Sequence, residues 1–413
     1  MKLVELSIDK FMEYQSTHPL SSLYQTVNYA MLKAENNYDY DLLGLLDNAG
    51  NILAATLILL RPIGIKRYYG YAPRGFLIDY NNIELVRTFT DLLKEYYEGK
   101  RCIFIKLNPN LKVGTVDLNT KEIIYNEDNK IKYVLDSLEY KKLLDNLYFE
   151  SQLPRFNAIV NLKDFNPEKL NKNTRNKIKK SIRKGLKFEK CGKEMIPEFY
   201  KLVKRKLGNN EHYYQDYYTV FEKNNSIDLF LVSVDYYDYL QNSQYIYNAE
   251  LEKNNILNSK LVTNNNMHKL NAKMQSDKTL LSYKNDILEA SKGMSEGKKL
   301  YLAGALVIRH NDTATIIFSG FNKELKRYAA NYFLHYNLIK YYQNDFNYLD
   351  LNGVVGNFKE ENAYTGLNRF KLGFNPIVYE YIGEYDLVLE PKNYTILLQN
   401  GVLAKEFNKK IKE

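Results

Sequence analysis

The 413-residue chain has no tryptophan, two cysteines and five histidines. Cys102 and Cys191 stand far apart without a C-x-x-C pair, which excludes a disulfide framework and a cysteine-based zinc site. The histidines show no ligand spacing, so no metal is expected. There is no G-x-S-x-G, no H-E-x-x-H and no P-loop. The longest apolar run, ILAATLILL (52–60), falls far short of the roughly 20 residues that cross a bilayer. The opening MKLVELSIDK has neither an apolar h-region nor a small-residue cleavage site. We therefore expect a cytoplasmic protein. Aromatic character rests on 38 tyrosines, spread too widely for abundance to mark a site.

What the chain does have is positive charge. Lysine and arginine number 58 against 49 acidic residues, a formal net charge of +9 with pI near 9.0. That balance favours a polyanionic partner: RNA, nucleotide phosphates or an anionic membrane surface. With 45% hydrophobic and 26% charged residues, the composition is that of an ordinary folded protein. At this length two domains and an appendage are expected rather than one core.

Two stretches share one order of elements. From Leu300 to Phe374 come KLYLAGALVIR and TATIIFSGF, separated by His310-Asn311-Asp312, then the amphipathic YAANYFLHYNLIKYYQ and the strand-like FNYLDLNGV. With LFLVSVD (229–235) ahead, this reads strand, strand, strand, helix, strand. Near the N-terminus, DLLGLLDNAGNILAATLILLR is a hairpin about Asn48-Ala49-Gly50-Asn51 and RYYGYAPRGFLID continues it. LVRTFTDLLKEYYEG supplies the helix and RCIFIKLNPN the closing strand. We expect a duplicated α/β fold, with a first domain over 1–150 joined by 382–413 and a second over 151–238 and 300–381. Within the first, 111–150 reads as a polar, irregular connection that ends in a short helix. In the second copy the hairpin turn gives way to an insertion, 239–299. There Met267, Met274, Leu281 and Leu288 recur every seven residues, and Thr263-Asn264-Asn265-Asn266 splits the segment in two. It reads as an antiparallel helical coiled-coil arm with those side chains on its seam.

A strand–strand–helix–strand unit is also the frame of acetyltransferases, whose pyrophosphate loop R/Q-x-x-G-x-G/A opens a helix. The nearest match, Arg61-Pro62-Ile63-Gly64-Ile65-Lys66, ends in lysine and joins strands. Acetyl-CoA is therefore not expected, while another acyl transfer still fits. Such a transfer needs a positioned acyl ester, an unprotonated amine and a cation or donor at the developing oxyanion. Lys371, in TGLNRFKLGF beside Phe370, Gly366 and Gly373, has a close-approach setting for that cation. Lys33 lies off the apolar stripe of Leu23, Val27, Ala30 and Met31, toward a cleft or solvent. Arg74-Gly75 sits between two strand-like runs. Tyr213, Tyr214, Tyr217 and Tyr218 recur at helical spacing, as a core stripe or a ligand wall. The densest charge cluster is NKNTRNKIKKSIRKGLKFE (171–189), a helix capped by Asn173 or Thr174, burying Ile178 and Ile182 and ended by Gly185. Its cations, among them Arg175, Lys179, Lys180 and Arg183, form a solvated face or a phosphate-docking surface without carboxylates to neutralise them. It lacks the interleaved aromatics of a base-stacking platform.

Several of these segments resemble, in shared order, the motifs of the Fem family, the aminoacyl-tRNA-dependent peptidyltransferases that build peptidoglycan interpeptide branches. LYQTVNYAMLK is similar to the family's Q-S/T…W…K pattern, and YAPRGFLID to its R-G-P-x-x-D turn, with Phe76 for proline. QLPRFNAIVNL and TRNKIKKSIRKGLKFE resemble its Q-P-R strand and R-x-x-I-x-K-A-x-K-x-G-V helix. LDLNGVVG, GLNRFKLGF and IGEYDLVL resemble its C-terminal signature. The resemblance implies twin acetyltransferase-like domains with a helical arm in the second. It implies transfer of an amino acid from charged tRNA to a stem-peptide amine of a lipid-linked or UDP-linked muropeptide, with no cofactor beyond the tRNA co-substrate. Contact with the inner face of the membrane and assembly with itself or related transferases follow as expectations.

The resemblance assigns oxyanion stabilisation to Lys371, with Phe370 as its neighbour. It assigns precursor binding to Lys33, to Phe370, to Arg74 in the turn, and to Tyr217 and Tyr218 near a family tyrosine. The basic helix would face tRNA, precursor phosphates or lipid. Three positions depart from the pattern: Asn108 in KLNP replaces the aspartate of K-x-D-P, Tyr213 or Tyr214 stands for an arginine, and Ile316 and Phe318 stand for the tyrosines of a Y-x-Y strand. No general base is assigned. Two alternatives stay open: a related acyltransferase with another amine acceptor, and a non-catalytic tRNA-binding or coiled-coil scaffold.

Overall fold

The computed structural model describes residues 1–63, 66–126, 130–142, 147–149, 152–207, 209–263, 266–297 and 299–400. Its first part runs β1 (Lys2–Glu5), α1 (Ile8–Thr17), α2 (Val27–Ala34), β2 (Asp39–Leu46), β3 (Ile52–Pro62), β4 (Tyr68–Arg74), α3 (Ile83–Tyr97), β5 (Cys102–Pro109), β6 (Lys112–Val116), β7 (Ile123–Tyr125), α4 (Lys130–Ser137) and β8 (Lys141–Lys142). There follow β9 (Phe156–Asn161), α5 (Lys172–Arg183), β10 (Leu186–Cys191), α6 (Ile196–Leu207), α7 (Glu211–Glu222), β11 (Ile227–Val234), α8 (Tyr236–Thr263) and α9 (Met267–Glu296). The chain closes with β12 (Tyr301–His310), β13 (Thr313–Phe321), α10 (Ala330–Tyr342), β14 (Tyr348–Val354), α11 (Thr365–Leu372), β15 (Ile377–Tyr381), β16 (Tyr385–Val388) and α12 (Pro391–Gln399).

These elements build two sheets, ordered β1-β2-β3-β4-β5-β16-β8 and β10-β11-β12-β13-β14-β9-β15-β6-β7. The repeated order is visible in the hydrogen bonding. β2, β3 and β4 pair antiparallel and α3 crosses to β5, parallel to β4. β11, β12 and β13 do the same, and α10 crosses to β14, parallel to β13. Between β2 and β3 the chain turns tightly: Asp47 Oδ1 accepts from the N–H of Ala49 (2.9 Å) and Asn51 (2.8 Å), and Gly50 takes φ 90°. At the same place in the second run, the chain leaves β11 as α8 and returns as α9 before β12.

Residues 112–125 are not an irregular connection. They form β6 and β7, which extend the second sheet through β15. Strands of five and three residues are too short to show a period against their polar turn. β16 brings the chain back to the first sheet beside β5, where Lys106 Nζ meets Asp386 Oδ1 at 2.8 Å and Tyr394 of α12 donates to Asp386 Oδ2 at 2.8 Å. Residues 401–413 lie outside the described residues.

One core joins the sheets. Phe11, Ala30, Leu57 and Leu59 pack in the same cluster as Phe199, Tyr217, Leu229, Leu306 and Ile308. Burying each large apolar side chain contributes about 1.5–3 kcal/mol, so the two sheets hold together as one body. The β12–β13 turn adds a polar fastening. His310 Nε2 lies 3.1 Å from Gln15 Nε2 and 2.9 Å from Ser21 Oγ, and Asn311 Nδ2 donates to Ser16 O at 3.3 Å.

Two helical segments differ from the sequence expectation. The cap of α5 is Asn171, whose Oδ1 accepts from Thr174 N at 2.8 Å. Thr174, Ile178 and Ser181 face inward, and Ile182 is 52% exposed. Gly185 does end the segment, at φ 64°. A Cβ there would come within 2.5 Å of Asp235 O and 2.6 Å of Tyr239 N, so only glycine fits.

In the insertion, α8 and α9 run antiparallel. Tyr239 bonds Asp286 near the root (2.9 Å), and Asn254 bonds Ser276 farther out (3.0 Å). The inner face of α9 is Ser276, Asp286, Ala290 and Gly293, and the heptad residues are not on it. Met267, Met274, Leu281 and Leu288 are 71%, 50%, 62% and 60% exposed. Hydrogen-bonding partners on α8 and in the body select the polar face for the inside, and the apolar stripe is left outward.

Candidate functional site

Where the sheets meet, charged side chains are buried together. Arg74 ends β4 at φ 54°, its N–H held by the Asn108 side chain at 2.9 Å. Its guanidinium donates to Pro154 O at 2.8 Å and lies 3.7 Å from the centroid of the Tyr381 ring. Arg74 is 4% exposed, so it reaches from the first sheet into the second with its charge out of water. A desolvated cation–π contact of this kind is worth about 2 kcal/mol. Asn108, the residue that departs from the family aspartate, thus holds the Arg74 backbone and meets Tyr71 (3.2 Å).

Asp350 lies across from it in β14, 8% exposed. Its Oδ2 accepts from Asn157 Nδ2 at 2.9 Å and its Oδ1 from the Asn352 N–H at 2.7 Å. Burial raises its pKa above the usual carboxylate range, against the pull of those hydrogen bonds and of the Lys371 and Arg74 charges. Lys371, 9% exposed on α11, donates from Nζ to Gly353 O at 2.6 Å. On β6, Lys112 is exposed at the edge of this group; desolvation of its ammonium and the Arg74 charge lower its pKa, with Asp350 and Asp312 opposing, and it stands 4.0 Å from the Tyr379 ring centroid. Three cations therefore share the field of one buried carboxylate. Beside them Arg155, just ahead of β9, forms an ion pair with Glu380 of β15.

An aromatic line continues from this cluster. The Tyr24 phenol is raised by burial and senses Tyr29, Asp350, Arg74 and Tyr381, and its ring meets that of Tyr29 at 5.3 Å. Lys33 stands 5.2 Å from the Tyr29 ring and 5.9 Å from that of Tyr38. Tyr217, buried on α7, has its phenol raised by burial and by Tyr213 and Tyr29, and packs against Phe318 at 5.0 Å. Arg74 and Lys371 share the field of Asp350, and Lys33 and Tyr217 stand along the Tyr29–Tyr24 line that leads from it. Tyr218 does not join it, since its phenol senses Glu222, Asp228 and Glu194. Phe370 turns into the second core, its ring meeting Tyr332 (4.9 Å), His335 (4.8 Å) and Phe374 (5.5 Å). On a further face of α11, Asn368, Arg369 and Leu372 line a cavity of about 210 Å³ with Val116, Leu118 and Phe358.

The basic helix packs its N-terminal end against the close of α11, where Thr174 and Asn171 come nearest Gly373, while its cations make other contacts. Arg175 donates to Glu168 O, and Lys179 is exposed. Lys180 is half-buried, with its pKa lowered by burial and by Lys184 and Lys177. Carboxylates do neutralise the end of the helix: Arg183 lies 3.9 Å from Asp286, and Lys184, 2% exposed, lies 2.9 Å from it and 3.8 Å from Glu289. Those acids come from the arm, which local sequence could not show. Among the described residues, no cluster of three or more His, Cys, Asp or Glu is placed to hold a metal, and no helix is long and apolar enough to cross a membrane.

The junction gathers side chains from segments whose order resembles one family, and the profile of the FemAB family matches residues 6–399. The chain belongs to the FemAB family. Among similar proteins, aminoacyltransferase FemA of Staphylococcus aureus strain bovine RF122 / ET3-1 is 24% identical over 421 residues, covering 98% of this chain and 99% of FemA. FemA of strain MRSA252 matches with the same identity and coverage. The crystal structure of FemX aligns with TM-score 0.74 at 18% identity, over 96% of this chain and 100% of FemX, so the fold is shared.

Within this FemAB chain the motif residues do two kinds of work. Gln25 is fully buried: its Oε1 accepts from Leu57 N (2.9 Å) and its Nε2 donates to Pro73 O (2.8 Å), which shapes the end of β4 before Arg74. Gly185 is structural in the same sense. Arg74 and Lys371 instead carry charge into the junction. Sequence reasoning missed Tyr24, Lys112, Asp350 and Tyr381. Asp350 left a signal, a lone acid in the apolar run YLDLNGV, because a carboxylate in a buried strand requires partners. Lys112 and Tyr381 left none.

Proposed function

We propose that this protein transfers an aminoacyl group from aminoacyl-tRNA to a stem-peptide amine of a peptidoglycan precursor. The observation that carries the reading is the buried Lys371–Asp350–Arg74 group at the sheet junction of a FemAB chain whose relatives are named aminoacyltransferases. The precursor occupies the junction against Lys33, Arg74 and the Tyr217 wall, with Tyr218 and Phe370 supporting α7 and α11. Its amine attacks the ester carbonyl. The Lys371 ammonium stabilises the oxyanion in a site shielded from water, where such a charge acts most strongly. Asp350, its proton affinity raised by burial, accepts the proton lost by the attacking nitrogen. The C–N bond forms as the ester C–O bond breaks, and the proton passes to the departing ribose hydroxyl. Arg175, Lys179, Lys180 and Arg183 receive phosphates of the tRNA, of the precursor or of the inner membrane surface. The protein works in the cytoplasm at that surface, without a further cofactor.

The test is transfer of label from a mixed pool of radiolabelled aminoacyl-tRNAs, with lipid-linked and UDP-linked muropeptides supplied in parallel. Label entering one acceptor identifies the reaction and its carrier. Well-folded protein that binds tRNA but labels neither acceptor overturns the proposal.

A further inference from the structure

We propose that Asn368 is a positioning residue for the reaction: it stitches α11 to the end of β14 and so sets where the Lys371 ammonium stands. That strand end is irregular. The register of β14 against β9 shifts between Asp350 and Gly353, and Asn352 between them takes φ 67°. Asp350 Oδ1 accepts from the Asn352 N–H (2.7 Å), and Asn352 Oδ1 from the Gly353 N–H (2.7 Å). A bulge of this kind takes residues out of the ladder and re-aims the chain. The segment that leaves it is caught by α11. The Asn368 amide bonds both backbone groups of Val355: its Oδ1 accepts from the N–H at 2.9 Å, and its Nδ2 donates to the carbonyl at 2.8 Å. A neighbouring strand would make the same pair of bonds. Asn368 is 7% exposed and Val355 is fully buried, so water does not compete for them.

Two spacings match here. Gly353 and Val355 stand two apart at the strand end, and both their carbonyls accept from α11. Asn368 and Lys371 stand three apart, on one face of that helix. Lys371 Nζ reaches Gly353 O at 2.6 Å while Asn368 holds Val355. A lysine head swings on a four-carbon stem, so its place is only as fixed as the helix that carries it. α11 has eight residues, too few to keep its place without tertiary anchors. Phe370 anchors it to Tyr332 and His335 of α10, and Gly373 abuts Thr174 of α5. Asn368 instead ties it to the strand that carries Asp350. The separation of the Lys371 ammonium from the Asp350 carboxylate therefore depends on that amide.

Resting on the transfer proposed above, this role of Asn368 has two tests. The first is reductive methylation of the full chain mapped by mass spectrometry, which needs no turnover. Lys371, 9% exposed, resists modification in the wild type and reacts in Asn368→Leu, which keeps the volume but bonds neither Val355 group. Lys184, 2% exposed at the root of the arm, stays protected in both, which marks the change as local. Asn368→Asp keeps the bond from the Val355 N–H and loses the one to the carbonyl, and it replaces the leucine variant if that does not fold. The second test is kinetic. Asn368→Leu should lower kcat by about 10², the scale of a misplacement of ~1 Å, with KM nearly unchanged. In a Lys371→Ala background the same substitution should leave the residual rate unchanged, because the two residues act as one unit. Leu372→Ala, which removes packing from the same helix, should lower the melting temperature and leave kcat intact. Full protection of Lys371 in a folded Asn368 variant overturns the proposal, and so does an equal fall in kcat with and without Lys371. A wild type that transfers no amino acid overturns the function instead, and methylation then still decides whether Asn368 positions Lys371.

Discussion

Acidification should loosen the junction between the two sheets through a single histidine. Burial, only partly offset by Asp312, pushes the pKa of His310 down from 6.5 to about 4. The geometry agrees. Gln15 Nε2 donates to Ser21 Oγ, so the serine hydroxyl and the second amide N–H both point at His310 Nε2, which must accept and therefore carry no proton. The sign follows from proton counting. A base with a lowered folded pKa binds fewer protons folded than unfolded between pH 4 and 6.5, so its stabilisation is complete above 6.5 and is lost as pH falls through the folded value. Between pH 7 and pH 5 the loss amounts to about 2 kcal/mol. His18, also lowered by burial and opposed by Asp79, adds in the same direction. Urea unfolding of the wild type and of His310→Gln at both pH values isolates the effect. Glutamine keeps a polar group near Nε2 but cannot titrate, so the variant should lose about 2 kcal/mol less on acidification. An equal loss in both proteins would refute the assignment of a neutral, fastened His310.

Other outcomes bear on the site. Lys371→Ala should fold and lose most of its transferase activity, a fall of about 10²–10³ in kcat, the scale seen when an oxyanion donor is removed; a folded variant with full activity refutes its role. Asp350→Asn should lower kcat/KM and abolish the acidic limb of the pH profile, which the wild type shows above the usual carboxylate range. Because burial disfavours that carboxylate's charge, the same substitution should not lower the melting temperature at neutral pH, and a large drop would mean a structural role alone. Lys184→Met leaves Asp286 and Glu289 without their buried cation and should cost about 3 kcal/mol in urea unfolding, with partial recovery when Asp286→Leu is added.

The sequence by itself determined the repeated order of strands and helices, because periods of 2 and 3.6 in apolar residues are local properties. β2, β3, β4, α3 and β5 could be read this way, as could β11, β12, β13, α10 and β14. The order of the motifs was enough to indicate the family. Arg74 and Lys371 were visible as charged residues beside glycines, which is a local signal too. Tertiary structure decided the rest. Whether an apolar heptad faces inward depends on what stands opposite it. For α9 the opposing groups are Tyr239, Asn254 and the Lys184 ammonium, so its polar side went in. The face that α5 buries, Thr174, Ile178 and Ser181 with Ile182 outside, was set by what the body places against it. The junction was hidden for the same reason. Tyr24, Lys112, Asp350 and Tyr381 come from four separate segments, and their charges and phenols act on one another only after two sheets have packed on a shared core. Proton affinity and electrostatic field arise from burial and distance, and neither is written in the local sequence.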